Sequence, residues 1–555
     1  MTPCPRAPFA WMNDVSRQFL AKDYLLNGQS GEARVGVIAE TFGKRLKRPD
    51  LAEKLYDYAG RGWYSFSSPV WSNYGHTRGL PISCFGTYVE DDTRSILRAH
   101  VEVGMMSKHG GGTSVYLDPV RERGAVITDN GHSAGSVHFS GLFDKEIRVI
   151  SQGSSRRGEC AAYWRITHPD IREVLTIRTP AAGPELQKLS YGVVIEDWWM
   201  KELIAGDAAK RELWAEVIKT RMKSGYPYLI FIDNANRQAP EVYRELGMRI
   251  NRSNLCTEIF LPDSPTESFV CCLSSMNDLY FDEWQGTDAV EVMVYFLDTV
   301  MSEFIDKARD EYGFDRAVRF AERHRALGLG QLGWHSYLQS RMVPFDSLGA
   351  NGLAAEVSAT IKAAAFKASA KMAAEYGEPE LLKGRGRRHT TLTAIAPTQS
   401  SSAIIGQVSE GVEAMIANFA VKDKQKVKYT YQNPFLLKLL ADKGQDTPAV
   451  IDSIFANQGS VQHLDCLDAR EKAVFKTLRE ISPMAVVQQA AARQPHVCQG
   501  QSINLLIDPA ADLKQVNKVY LAAWELGLKS LYYQKNVSAA QELLHDLTAC
   551  AACEG

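Results

Sequence analysis

Hydrophobic and polar positions along the chain fall into two regimes. Residues 1–62 read as helical, with mixed apolar spacing over Asp14–Leu26 and Ala33–Leu46. From about Trp63 short β-rich runs alternate with longer helical stretches. Ile147–Ile150, Tyr191–Ile195, Tyr228–Asp233 and Phe269–Leu273 are the former; Ala289–Ala308 and Leu353–Tyr376 are the latter. The last is rich in Ala, Lys and Glu, all good helix formers. Alternation of this kind predicts an α/β architecture with a largely parallel sheet. The basic clusters Lys44–Arg48, Gly384–Arg388 and Lys422–Lys428 read as solvated surface, the latter two as exposed loops.

Composition narrows the class. At 555 residues, 45% apolar and 23% charged, with a net charge of −2, the chain carries no bulk attraction for nucleic acid or membrane. No apolar run reaches the ~18 residues of a spanning helix. The start, MTPCPRAPFAWMNDV, lacks a basic segment followed by an apolar run, so a cytoplasmic protein is expected. Ten cysteines spread over the whole length argue for reduced thiols rather than a disulfide scaffold. Cys550-x-x-Cys553 supplies one pair only, where zinc needs four ligands, so a redox use is expected there.

One segment concentrates chemistry. Ser253–Ile259, SNLCTEI, places an amide (Asn254), a thiol (Cys256) and a carboxylate (Glu258) at every second position. In an extended segment all three face one way and Leu255, Thr257 and Ile259 the other. A thiol beside an amide and a possible general base is a small reaction centre; a half-buried strand with an inert Cys is the structural reading.

The N-x-C-x-E motif resembles the radical-thiol segment of ribonucleotide reductase catalytic subunits. Further pieces match in that family's order. FSSPVWSNYGHTRGLPISC, Phe66–Cys84, resembles the first barrel strand with its reducing cysteine, and VCCLSSMN, Val270–Asn277, the second cysteine strand. LTAIAPTQSSS, Leu392–Ser402, resembles the substrate-phosphate loop, and LYYQ, Leu531–Gln534, the paired radical tyrosines of class I enzymes. The resemblance spans about residues 15–555.

It implies a ten-stranded α/β barrel over 63–540 with a central finger loop, a helical segment over 1–62 and a flexible redox tail over 541–555. The N-x-C-x-E segment then becomes a loop tip. Cys256 would carry a thiyl radical, Glu258 would act as base and Asn254 would hold the sugar hydroxyls. Cys84 and Cys271 would supply two electrons; the family pattern C-x-L-S selects Cys271 over Cys272. Tyr533 and Tyr532 would relay the radical, although adjacent residues face apart in regular strands or helices. Ser68, Ser83, Gly111, Thr398, Gln399, Ser400 and Ser401 match substrate positions. After Gly111 the chain has Thr113 and Ser114 where the family has an apolar residue and a Gly. Asp91 and Arg121 match the site of a deoxynucleotide or ATP effector, and Ile150–Glu159 the loop that transmits effector identity. Cys550 and Cys553 would pass electrons inward from thioredoxin or glutaredoxin.

No cofactor is expected in this chain. The radical would come from a metal-containing small subunit, and a homodimer is expected. About 62 residues precede the barrel, too few for the family's ATP cone, so a compact form of viral or phage type is expected. An adenosylcobalamin-dependent reductase and a catalytically silent nucleotide-binding barrel are the alternatives; Tyr532–Tyr533 and the full set of five cysteines argue against them in turn.

Overall fold

The computed structural model describes residues 7–26, 28–150, 157–179, 186–424 and 427–536. Helices Asp14–Asp23, Gly31–Leu46 and Pro49–Gly60 form the N-terminal segment. Asn13 and Ser30 cap the first two by accepting from the Ser16 and Ala33 N–H groups. Pro49 opens the third, in the first turn, where its missing N–H costs nothing.

The strands are β1 (Tyr64–Phe66), β2 (Cys84–Gly86), β3 (Gly112–Tyr116), β4 (Glu159–Arg165), β5 (Ser190–Ile195), β6 (Tyr228–Phe231), β7 (Phe269–Asn277), β8 (Leu327–Leu332), β9 (Phe419–Lys424), β10 (Val427–Gln432), β11 (Leu505–Ile507), β12 (Ser530–Leu531) and β13 (Gln534–Asn536). β2 to β6 run parallel, side by side, and β7 runs parallel to β8. The two sets meet antiparallel, at β2–β7 and at β6–β12. Between β8 and β12 the wall is completed by residues 392–396 and 499–504. Leu329 N donates to Leu392 O (2.8 Å), Ile395 N to Gly500 O (3.0 Å), Ser502 N to Ile395 O (2.9 Å) and Tyr532 N to Ile503 O (2.9 Å). Two five-stave halves, β2–β6 and β7, β8, 392–396, 499–504, β12, thus close into the ten-stranded barrel, with β1 against the end of β7. Closure removes the sheet edges. The strands of the first half are buried along almost their whole length, as expected where helices cover the outside and side chains fill the inside.

Helix Ala289–Ala308 coincides with the predicted run and is buried on nearly every face. It lies between β7–β8 and the N-terminal helices, where Phe296 meets Phe42 edge-on at 5.7 Å. Leu348–Tyr376 is one helix, begun five residues earlier than its Ala-rich core suggests.

Three local expectations are corrected. Ile147–Ile150 is the end of helix Ser136–Val149, not a strand: Ile147 is buried and Val149 exposed, a helical period. The strand comes later, at β4, where ECAAYWR has little β-branched content to announce it. Within Lys422–Lys428, Lys422–Lys424 lie in β9 and Val427–Lys428 in β10, two strands that pair antiparallel, rather than in a surface loop. In β10 Val427, Tyr429 and Tyr431 point inward while Lys428 and Thr430 face out. Ile232 and Asp233 leave β6 to start helix Ile232–Arg237.

Residues 249–263 enter the barrel as a finger between β6 and β7. Arg252 and Asp263 pair at its base, their side chains 1% and 2% exposed. The same guanidinium donates to Thr87 O (2.9 Å) and Ser114 O (3.3 Å), tying both arms of the finger to the wall. Removing one partner leaves a buried charge uncompensated. Arg252→Met is therefore expected to cost about 3–5 kcal/mol of stability, read from the denaturation midpoint. Arg252→Met with Asp263→Leu should regain most of it, because no charge is then stranded.

Candidate active site

The tip of the finger is a tight loop, not a strand. Asn254 closes it: its Oδ1 accepts from the N–H of Glu258 (3.1 Å) and of Ile259 (3.0 Å), and its Nδ2 donates to Glu258 Oε1 (2.9 Å). Asn254 N donates to Ile259 O (3.2 Å). Thr257 sits in the left-handed region at φ 65, which the hydrogen bonds around it must sustain. Asn254, Cys256 and Glu258 are all buried. They are brought together by loop closure, so the alternation argument, which put them on one face of a strand, has the wrong local geometry.

The wall holds the tip from outside. Ser502 Oγ donates to Cys256 O (2.5 Å) and to Glu258 Oε2 (3.2 Å). Gly500 N donates to Glu258 O (2.7 Å), Ser530 Oγ to Thr257 O (2.9 Å) and Tyr163 OH to Asn254 O (2.5 Å). Gly500 has no room for a Cβ, which would meet Phe260 at 2.5 Å. Burial lifts the Glu258 carboxyl to about 7, against the opposing pull of its own N–H, Asn254 and Ser502.

Cys84 and Cys271 face each other across the antiparallel β2–β7 register, both as free thiols. Asn254 Nδ2 lies 3.9 Å from Cys84 Sγ, so the finger tip and the cysteine pair share one space. Cys271 is buried and pushed up to about 12, with Gln499 Nε2 donating to its sulfur at 3.4 Å. Gln499 Oε1 also accepts from Phe260 N (3.0 Å) on the finger. Cys272 pairs with Leu327 and feels Asp298 and Arg325, in the helix layer outside. Strand alternation thus separates the two cysteines.

A cavity beside β1 and β7 is lined by Ser65, Ser67, Ser274, Ser275, Thr398 and Ser401, with Gly328 and Gly330. Helix Gln399–Ile404 begins there, with Thr398 before it at φ 56, its hydroxyl accepting from Gly411 N (2.7 Å). Ser400 is buried in that helix and Gln399 half-buried. Ser68 is buried at the first position of helix Ser68–Asn73. Ser83 precedes β2 and accepts at its carbonyl from Gly112 N (2.7 Å). Gly111 is required by packing: a Cβ would lie 2.9 Å from both Met106 O and Phe85.

Tyr532 and Tyr533 do not face apart. They fall in the break between β12 and β13, and their ring centroids lie 4.2 Å apart. Tyr228 packs against both, at 4.8 and 5.1 Å, and Tyr226 OH donates to Tyr533 OH at 3.0 Å. Asp91 and Arg121 form an ion pair of 2.7 Å, each about one-third exposed. Cys550 and Cys553 lie outside the described residues, as do 151–156 of the Ile150–Glu159 loop.

A family model described as ribonucleotide reductase, barrel domain, matches residues 82–210, 205–381 and 379–534. The chain belongs to the ribonucleotide reductase family. It is 38% identical over 546 residues to a large-subunit homologue from Frog virus 3, covering 94% of this chain and 95% of that protein. It is 30% identical over 493 residues to a vitamin B12-dependent ribonucleoside-diphosphate reductase of Mycobacterium tuberculosis, covering 84% of this chain and 69% of that one. The alpha subunit of a class Id ribonucleotide reductase from Actinobacillus ureae superposes with a TM-score of 0.91 at 50% identity, covering 98% of this chain and all of that one.

Ser502, Gln499, Tyr163 and Tyr226 escaped the sequence reading. The first two sit in QGQS, Gln499–Ser502, a polar stretch whose burial no local pattern reveals.

Glu258 allows a test of the site's polarity. Its folded-state value of about 7 lies above the ordinary 4.5. The ionisation penalty on folding is therefore absent below about pH 4.5, grows as pH rises, and is complete above about pH 7. Glu258→Gln carries no such penalty. Its stability relative to the wild type should rise by about 3 kcal/mol between pH 4.5 and pH 8, measured by urea denaturation at both.

Proposed function

We propose that the chain reduces ribonucleotides, ribonucleoside diphosphates first among them, to 2′-deoxyribonucleotides for DNA synthesis. The observation that carries this is the meeting of a buried thiol, a carboxyl poised near neutrality and a facing cysteine pair inside one closed barrel. The viral large-subunit relatives and the class Id structure support it.

Cys256, as a thiyl, takes the 3′-hydrogen and becomes a thiol. Glu258 accepts the 3′-hydroxyl proton, which eases loss of the 2′-oxygen as water. Cys84 and Cys271 give two electrons and two protons and become a disulfide; one proton leaves in the water, the other hydrogen ends on carbon 2′, and Glu258 returns its proton to the 3′-oxygen. Cys256 then returns hydrogen to carbon 3′ and is a thiyl again. Asn254 holds the sugar hydroxyls. The serine-lined cavity with Thr398 and Ser401 takes the phosphates through neutral donors and backbone N–H groups. Asp91 and Arg121 take a deoxynucleotide or ATP effector.

The radical is supplied by a metal-containing small subunit through Tyr533 and Tyr532, whose 4.2 Å contact supports a class I route over a cobalamin route. Thioredoxin or glutaredoxin re-reduces the site through Cys550 and Cys553, and the active form is a homodimer.

The deciding assay is turnover of CDP with dithiothreitol, with a small subunit present, absent, or replaced by adenosylcobalamin. Product only with the small subunit upholds the class I reading; product with adenosylcobalamin alone overturns it. Cys256→Ser should bind substrate yet lose turnover by roughly 10³-fold or more; measurable deoxynucleotide from that variant would remove Cys256 from the role.

A second comparison separates the thiol pairs. Cys550→Ser with Cys553→Ser should lose turnover driven by thioredoxin or glutaredoxin and recover most of it with dithiothreitol, which reaches Cys84 and Cys271 directly. Cys84→Ser should recover with neither. Wild-type speed of the tail variant with the protein reductant would contradict the shuttle.

A further inference from the structure

Behind the Tyr532–Tyr533 pair lies a second phenol that the proposed relay does not use. Tyr226 is 5% exposed and its hydroxyl donates to Tyr533 OH at 3.0 Å. Their rings meet edge-on, centroids 5.2 Å apart at 85°. Ser190 Oγ is 3.3 Å from the Tyr226 hydroxyl. Tyr191 stacks on the far side at 5.5 Å and 10°. The Arg178 guanidinium sits over the Tyr226 ring at 4.7 Å.

We propose that Tyr226 is a positioning residue for Tyr533 in radical transfer, holding the Tyr533 oxygen by hydrogen bond while Arg178 keeps Tyr226 itself from becoming a hop site. The inference rests on the relay reading of Tyr532 and Tyr533.

The chemistry follows from which proton moves. Oxidation of Tyr533 passes one electron and the phenolic proton, together one hydrogen atom, to the oxidised group of the small subunit, leaving a neutral phenoxyl. Because Tyr226 donates, the Tyr533 O–H is directed elsewhere and is the one that leaves. The Tyr226 proton stays, so the buried phenoxyl oxygen keeps the donor it has at rest. Tyr226 is chemically a phenol in contact with Tyr533, so a hole could pass to it and on to Tyr191. Two features oppose this. A cation stacked on the ring disfavours removal of an electron from it. Its proton is also aimed at another phenol, which is no base.

The test uses the chain assembled with its small subunit, carrying at position 533 a tyrosine analogue of lower potential that traps the radical there. Magnetic resonance should find an exchangeable proton coupled to that radical, and Tyr226→Phe should abolish the coupling. The same substitution in the natural chain should lower kcat about tenfold, the scale of one hydrogen bond, with KM unchanged. Persistence of the coupling, or kcat within about twofold of wild type, overturns the proposal. In Arg178→Met a second tyrosyl signal should appear and vanish when Tyr226→Phe is added; no second signal overturns the guarding role. Tyr533→Phe distinguishes the premises. If it turns over normally the relay reading falls, and the inference with it; if it is dead while Tyr226→Phe is unaffected, only the inference falls.

Discussion

A loop carried into the middle of a closed barrel has no water to satisfy its backbone, and in this chain one side chain meets much of that demand. Asn254 accepts two backbone N–H groups with its oxygen and donates to Glu258 with its nitrogen. Every buried backbone group needs a partner, so without this clasp the tip could not turn at Thr257 and Cys256 could not be presented. The clasp also sets the chemistry. The amide that closes the loop is the group that fixes the carboxyl and approaches Cys84, so loop geometry and site geometry are one constraint.

That dependence explains what was legible in the sequence and what was not. The N-x-C-x-E motif could be read because its members are close in sequence and chemically unusual together. Local alternation assigned them to a strand; the Asn254 clasp, which depends on burial, makes them a loop tip. The long helix Ala289–Ala308 was legible because its apolar content needs no partner to identify it. β4 was not: its alanines and glutamate carry no strand signal, and its position is set by pairing with β3 and β5. The Ile147–Ile150 error has the same root, since four apolar-rich residues cannot distinguish a strand from a helix end. Ser502 and Gln499 were invisible because the finger and β7 atoms they hold lie over two hundred positions away.

The tyrosines show the limit most sharply. Adjacent side chains diverge only while the backbone stays regular. The chain breaks regularity between β12 and β13, where Tyr532 N still bonds Ile503 O and Leu505 N bonds Tyr533 O. Those two bonds kink the segment against its neighbour and swing the rings together. Arg221, fully buried, donates to Tyr532 O from the other side (3.0 Å). Nothing in LYYQ alone encodes this.

The same two segments that close the barrel also hold the finger. Residues 499–504 bond the Glu258 carbonyl, the Cys256 carbonyl and the Cys271 sulfur; residues 530–533 bond the Thr257 carbonyl and carry the tyrosines. Cys256, Glu258, Cys271 and the tyrosine pair are thus referenced to one pair of hydrogen-bonded staves, not to each other through a mobile surface. The hydrogen abstraction proposed for Cys256 depends on sub-ångström placement of reacting atoms. Packed interiors shift little without cost, so anchoring all four groups to the last staves of the wall lets a chain that folds at all fold with its site assembled. On the proposed radical route that coupling is useful: a finger tip detached from the wall would also lose its alignment with the tyrosines, so a misplaced thiol would not readily be oxidised.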